Sequence, residues 1–337
     1  MKTTTIRRLL NNRIEKWTAT LPDGLKQRVQ ADVIITGGCI ASALLGEKVN
    51  DYDVYFRTKE TAMAVAAHYV AQFNNTRPGE AADIKRTPHV KVCVQKNIKG
   101  VDEERIMIFM KSAGIAAEGQ TAYQYFESQP EKSQEEFVQS LDEEDTVLEN
   151  NLLDFEASEV DKTKDLIDQG LDTAQLEVKG KPQYRPVFLS QNAITLTDKI
   201  QLVIRFFGEP AKLHENYDFV HCMCYFDYKS QYLHLPQEAL QSLLTKTLVY
   251  HGSLYPIATI FRLRKFIARG WSISAGQLLK VIWQINEADF SDREVLNDQL
   301  IGVDQAYMHQ LLNAIREDKS ARVDATYIAA LIDKIFD

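Results

Sequence analysis

Val33-Ile34-Ile35-Thr36-Gly37-Gly38-Cys39-Ile40-Ala41-Ser42-Ala43-Leu44-Leu45-Gly46-Glu47-Lys48-Val49-Asn50-Asp51-Tyr52-Asp53-Val54-Tyr55-Phe56 is the stretch from which the fold can be read. Its first four residues are β-branched and read as a short strand, which stops at Gly37-Gly38. Ile40 to Leu45 is apolar and compact, a short helix ended by Gly46. From Asp51 to Phe56 polar and apolar residues alternate, the mark of a second strand. A strand that ends in glycines and opens a helix leaves backbone N–H groups at the helix N-terminus, where the dipole also favours an anion such as a triphosphate. Asp51 and Asp53, two apart on a strand, project from one face. Side by side they repel unless a cation lies between them, and a Mg²⁺ pair joining a triphosphate to an acceptor hydroxyl suits that position. On spacing alone the two aspartates can equally close a loop.

Outward from this block, residues 6–17 and 21–30 pattern as helices, the second opened by a Leu-Pro-Asp-Gly turn. Thr58 to Phe73 is an alanine-rich helix. Val90–Val94 and Ile106–Met110 are strands joined by a polar loop, as in a hairpin. Residues 186–189, 193–196, 200–207 and 219–226 read as further strands that complete the same sheet, with the aspartate pair at one sheet edge. After Leu235 the pattern turns helical, over 236–247, 253–269, 274–288, 292–316 and 324–336.

The 337 residues, 45% of them hydrophobic, suffice for two or three cores of ordinary domain size. No run of eighteen apolar residues occurs, which excludes a membrane-spanning helix. The basic N-terminus lacks the apolar stretch of a signal peptide. Four cysteines, Cys39, Cys93, Cys222 and Cys224, are too few for a disulfide framework and point to reducing cytoplasm. Fifteen acidic residues against three lysines give 127–168 a balance of −12, so the rest of the chain carries +4 of the total of −8. Residues 112–185 therefore read as an acidic insertion, mobile or partly helical.

The Gly-Gly to Asp-x-Asp block resembles that of tRNA nucleotidyltransferases (CCA-adding enzymes) and the related bacterial poly(A) polymerases, members of the DNA polymerase β superfamily. Gly37, Gly38, Ile40, Leu44, Leu45, Gly46, Asp51 and Asp53 match without a gap. The resemblance implies an α+β fold: a polymerase β-like head with a mixed sheet from 1–111 and 186–235, and an all-helical part from 236–337. It implies transfer of a nucleoside monophosphate from a nucleoside triphosphate, with release of pyrophosphate, to an acceptor hydroxyl, an RNA 3′ end such as that of tRNA before others. Asp51 and Asp53 would hold Mg²⁺ or Mn²⁺, and Gly37, Gly38 and the Cys39 N–H would cradle the triphosphate. The family's Arg-Asp pair falls on Ala41 and Ser42, so Ser42 lies where the family touches nucleotide and Lys48 or Arg57 would supply positive charge.

Two later stretches continue the resemblance. Asn216-Tyr217-Asp218-Phe219-Val220-His221-Cys222-Met223-Cys224 is similar to a second family motif of which only Asp-Phe remains, and makes Asp218 a third catalytic carboxylate. Pro256 to Ile273 resembles the family's neck helix, although the pair that selects the base is missing. Arg262, Lys265 and Arg269 share a helix face and either contact phosphate or form a solvated surface. Divergent proteins of this look occur in phage genomes, which makes the host cytoplasm the expected location. The losses also allow a catalytically degenerate protein, acting in nucleotide sensing or assembly.

Other constellations carry less. On a strand, His221 would point away from Cys222 and Cys224, which argues against a zinc site. Tyr225, Phe226, Tyr228 and Tyr232 either stack bases or fill a sheet face. The chain has no Walker loop, Gly-x-Ser-x-Gly or dinucleotide fingerprint.

Overall fold

The computed structural model describes residues 2–75, 87–109, 114–116 and 183–288, together with Val295 and Gln299. These residues fall within one compact unit, Met1–Tyr123 with Gln183–Met308. The mobile acidic insertion expected over 112–185, apart from 114–116, and the helices expected over 292–316 and 324–336, apart from Val295 and Gln299, lie outside the described residues.

The fold is α+β with a mixed sheet. Helices α1 (Thr3–Thr18) and α2 (Asp23–Asp32) lead into strand β1 (Val33–Thr36), helix α3 (Gly38–Leu45), strand β2 (Tyr52–Phe56) and helix α4 (Lys59–Asn75). Strands β3 (His89–Lys96) and β4 (Asp102–Phe109) form the expected hairpin, as a separate two-stranded sheet. The main sheet gains β5 (Gly114–Ala116), β6 (Pro186–Ser190), β7 (Ala193–Leu196), β8 (Ile200–Phe207), β9 (Tyr225–Asp227) and β10 (Tyr232–His234). Its order is β10-β9-β1-β2-β8-β7-β6-β5. Only β2 and β8 run parallel within it; the other pairings are antiparallel. The strand that carries Asp53 is therefore central, and the edge position expected for the pair is corrected, because β8 adds beside β2 on the side that β1 leaves open.

Alternation along the central strands divides the sheet into two faces. Val33, Ile35, Tyr52, Val54, Phe56, Ile200, Leu202 and Ile204 enter the main core with Ile6, Leu10, Ile14 and Trp17 of α1 and Val65, Tyr69 and Phe73 of α4. The α1 residues recur at three- and four-residue spacing, which is why that helix lies flat on the sheet. Trp17 Nε1 donates to the Tyr69 hydroxyl at 2.7 Å within this core, giving the buried indole its hydrogen bond. Ile34, Tyr55 and Val203 face the opposite side with Leu213, Phe206 and Tyr217. Thr36, Asp53 and Gln201 share that second face by the same alternation.

Beyond β8 follow a short helix α5 (Pro210–His214), a 3₁₀ turn over Val220–Cys222, helix α6 (Gln237–Thr245), strand β11 (Thr247–Leu248), helix α7 (Pro256–Ala268), strand β12 (Ser272–Ile273) and helix α8 (Ala275–Asn286). The continuous strand expected over 219–226 is absent. Val220 N donates to Val249 O, while Cys222 N and Met223 N donate to Phe219 O and Val220 O, so the backbone curls before β9 begins. Aromatic packing drives this: the His221 ring lies 4.2 Å from that of Trp271 and 4.7 Å from that of Phe266. Among the described residues, no helix is long and apolar enough to cross a membrane.

Candidate functional site

The site is built on the Gly37 corner. Gly37 has φ +99° and ψ −154°, a conformation open to glycine and strained for other residues. A Cβ placed there would lie 3.1 Å from Asp53 Oδ2 and 3.4 Å from the Tyr217 hydroxyl, so the bare backbone lets both oxygens approach. Helix α3 begins at Gly38 with no side chain capping its first turn. It ends in a Schellman closure, with Gly46 N donating to Ala43 O and Glu47 N to Ser42 O. The loop that follows delivers Asp51 and then Asp53 to the same corner.

Asp53 is held well above the usual carboxylate range, first by burial, then by the charge of Asp51, against which Lys265 acts. Burial likewise pushes up the Cys39 thiol and the Tyr217 hydroxyl, and both Tyr55 and Cys222 are raised by burial with Asp53 adding to it. The Tyr217 hydroxyl is closed off from solvent and lies beside Tyr55 and Thr36. The wall beneath the corner is neutral: Thr36 Oγ1 donates to Cys224 O and lies 2.9 Å from His214 Nε2. Since the hydroxyl's one proton goes to the carbonyl, His214 must donate. Burial lowers the His214 pKa to about 4, with His251 and His234 adding to the effect, which keeps the ring neutral.

Gln201 completes the group. It stands opposite Asp53 in the parallel register of β2 and β8. Its amide reaches both carboxylates: turned with Nε2 toward them, it donates to Asp53 Oδ1 at 3.1 Å and to Asp51 Oδ2 at 3.2 Å. The sequence offered one sign of it, a polar residue in a strand whose other residues, Arg205 apart, are apolar. Its partners depend on sheet register, which the sequence does not show.

The remaining sequence candidates divide. Lys265 on α7 places its charge near enough to favour ionised Asp53. Asp218 is buried and takes hydrogen bonds from Thr259 Oγ1 at 2.6 Å and Arg262 Nη1 at 2.5 Å. Arg262 and Asp218, expected as a phosphate ligand and a third catalytic carboxylate, thus pair with each other. Arg269 donates to Glu47 at 2.9 Å, beside Lys246 at 2.8 Å, and so fastens the end of α3. Arg57 pairs with Glu209 and Asp227, so its charge is taken up away from the glycine corner. Ser42 is buried and Ala41 packs with Phe219 and Leu243 in a second core cluster, so neither supplies charge to a ligand. Lys48 is half-buried in the loop between α3 and β2. Of the aromatic group, Phe226 is core and Tyr232 is exposed.

Two carboxylates and an amide converging on a glycine corner can hold a divalent cation. Among the described residues no group of three or more His, Cys, Asp or Glu does so. Mg²⁺ needs only one or two carboxylates when phosphates and water fill its shell, so the donor set fits a cation that shares a triphosphate. The repulsion between Asp53 and Asp51 points the same way, because a cation between them would relieve it. A separate concavity of 630 Å³, lined by Lys99, His251, Lys280 and Trp283 among others, lies away from these residues.

The model of the Gabija anti-defense 2 family matches residues 8–246. A curated relative, "Gabija anti-defense 2" of Bacillus phage SPbetaL7, is 23% identical over 107 residues, covering 31% of this chain and 27% of the relative. The alignment thus spans about a quarter of that protein's length. No solved structure matches. The resemblance to tRNA nucleotidyltransferases and the polymerase β superfamily is thereby corrected: the family that matches most of the chain is a different one. Eight matching positions describe a strand, a glycine corner, a short helix and a second strand, and that local shape does not require common ancestry.

Proposed function

This chain belongs to the Gabija anti-defense 2 family, and from that premise we propose that it is a phage factor that counters the Gabija defence by metal-dependent nucleotidyl transfer at Asp51 and Asp53. The observation that carries this reading is the half-buried Asp53 beside Asp51 at the Gly37 corner, both within reach of the Gln201 amide. The glycine backbone and the open first turn of α3 bind and orient the triphosphate. Asp51 and Asp53 hold the cation, Mg²⁺ or Mn²⁺, which when bound lowers the pKa of an acceptor hydroxyl and neutralises the leaving pyrophosphate. Lys265 adds positive charge on the α7 side, and the buried Tyr55 with the half-buried Tyr217 excludes water. The acceptor is a hydroxyl, of an RNA 3′ end or of a defence component.

A second reading is favoured by the Arg262–Asp218 pair, in which an acid and a base near the site bind each other. In it the chain counters the defence by binding alone, the nucleotide acting as a structural ligand. One experiment separates the two. The purified chain is incubated with each of four labelled triphosphates, Mg²⁺ or Mn²⁺, and either RNA or purified Gabija components. Label transferred to an acceptor, and lost in Asp51→Asn, supports catalysis; protection against Gabija by Asp51→Asn at wild-type level supports binding.

A further inference from the structure

We propose that Gln201 is the third oxygen donor of the cation site and, without cation, the clip that holds its two carboxylates together. The inference rests on reading Asp51 and Asp53 as cation ligands, and deepens it. An octahedral cation at about 2.1 Å from its ligands sets neighbouring ligand oxygens about 3 Å apart. The near end of the Gln201 amide is 3.1 Å from Asp53 Oδ1 and 3.2 Å from Asp51 Oδ2. With Oε1 on that side, its separation from each carboxylate oxygen matches that of neighbouring ligands in such a shell. With Nε2 there, the same side chain gives each carboxylate a hydrogen bond. A half turn about the last torsion exchanges the two states, and the amide's equal-sized ends leave the packing unchanged.

The backbone holds Gln201 in place. Its opposition to Asp53 belongs to the register that also pairs Tyr52 with Ile200 and Val54 with Leu202, all four in the main core. A shift of one residue would turn those apolar side chains outward, so the register is firmly set.

A neutral third donor has a consequence for binding order. Two carboxylates balance a divalent cation, leaving no excess negative charge to retain it. The cation is then held firmly only when an anionic ligand shares it, so cation and triphosphate enter together.

The test uses the full chain and Mn²⁺, followed by the electron spin resonance signal of free Mn²⁺ and by thermal unfolding with and without the ion. Gln201→Glu is expected to bind Mn²⁺ at least tenfold more tightly than wild type. It should melt lower than wild type without the ion, from repulsion among three carboxylates, and recover when the ion is added. Gln201→Leu is expected to bind at least tenfold more weakly; should it fail to fold, Gln201→Glu decides the matter. Wild-type affinity in both variants, with binding lost in Asp51→Asn, would overturn the role of Gln201 and leave the aspartate reading intact. Mn²⁺ binding by Asp51→Asn equal to that of wild type, or none by wild type and Gln201→Glu alike even with a triphosphate present, would overturn both.

Discussion

Arg262 donates to Asp218 at 2.5 Å across two segments that the chain brings together late, the curl after α5 and the helix α7. Asp218 is buried, while a third of the Arg262 side chain reaches solvent. The pair therefore ties α7 to the sheet unit, with Thr259 as a second hydrogen-bond donor to the same carboxylate.

Asp218→Asn should accordingly act on stability. Loss of one partner leaves Arg262 half-buried without its counter-charge, at a cost of about 1–3 kcal/mol. Urea unfolding should show the loss, while Mn²⁺ affinity stays at the wild-type level. Unchanged stability with a tenfold loss of Mn²⁺ affinity would return Asp218 to the cation site.

For the aspartate pair, the two properties should move in opposite directions. Asp53→Asn removes the repulsion between Asp53 and Asp51, so the metal-free protein should melt higher than wild type. Nucleotidyl transfer should fall by about a hundredfold or more, on the order of 3 kcal/mol in the barrier. Asp51→Asn should behave alike in transfer, and the double variant should lose little more, because the residues act as a unit. Transfer at the wild-type rate by either single variant would locate the chemistry elsewhere.

Gly37→Ala tests the corner itself. The positive φ and the 3.1 Å approach of Asp53 Oδ2 both oppose a Cβ, and strain of this kind costs about 1–3 kcal/mol. We expect a lower unfolding midpoint and loss of triphosphate-dependent thermal stabilisation. Gly24→Ala, where no atom lies within 4 Å of the added carbon, is the control and should leave nucleotide binding unchanged. A fully stable Gly37→Ala protein would show that the corner tolerates a side chain.

Acid should weaken the fold through its buried histidines. His214 is lowered to about 4 and His221 to about 3, each chiefly by burial. In the unfolded chain a histidine takes up its proton near pH ~6.5. Between that value and the folded one the unfolded state binds more protons, so stability is full above pH ~6.5 and declines as pH falls toward about 4. His214→Asn keeps an N–H donor for Thr36 and should flatten the decline in a series of denaturant midpoints from pH 7 to 4. A decline as steep as that of wild type would assign the acid sensitivity to other groups.

Residues 33–56 disclosed their own shape in the sequence. Two strands, a glycine corner and a helix closed by Gly46 follow from local rules, namely β-branched side chains, alternation and the freedom of glycine. The same rules located β7 at Ala193–Leu196 and β8 at Ile200–Phe207. They placed Asp51 and Asp53 together because residues two apart in extended chain need no other segment to meet, although β2 itself begins only at Tyr52. They misjudged 219–226, where the packing of His221 against Trp271 and Phe266 overrides a strand-like pattern.

What only the tertiary structure decided is the company those aspartates keep. Gln201 reaches them through the parallel pairing of strands far apart in sequence, and Arg262 meets Asp218 across the packed core. Side-chain periodicity is a property of a few neighbouring residues, whereas register and ion pairing are settled when distant surfaces exclude water together. The sequence by itself therefore determined the corner and its two carboxylates, and the packed sheet determined which third group stands beside them.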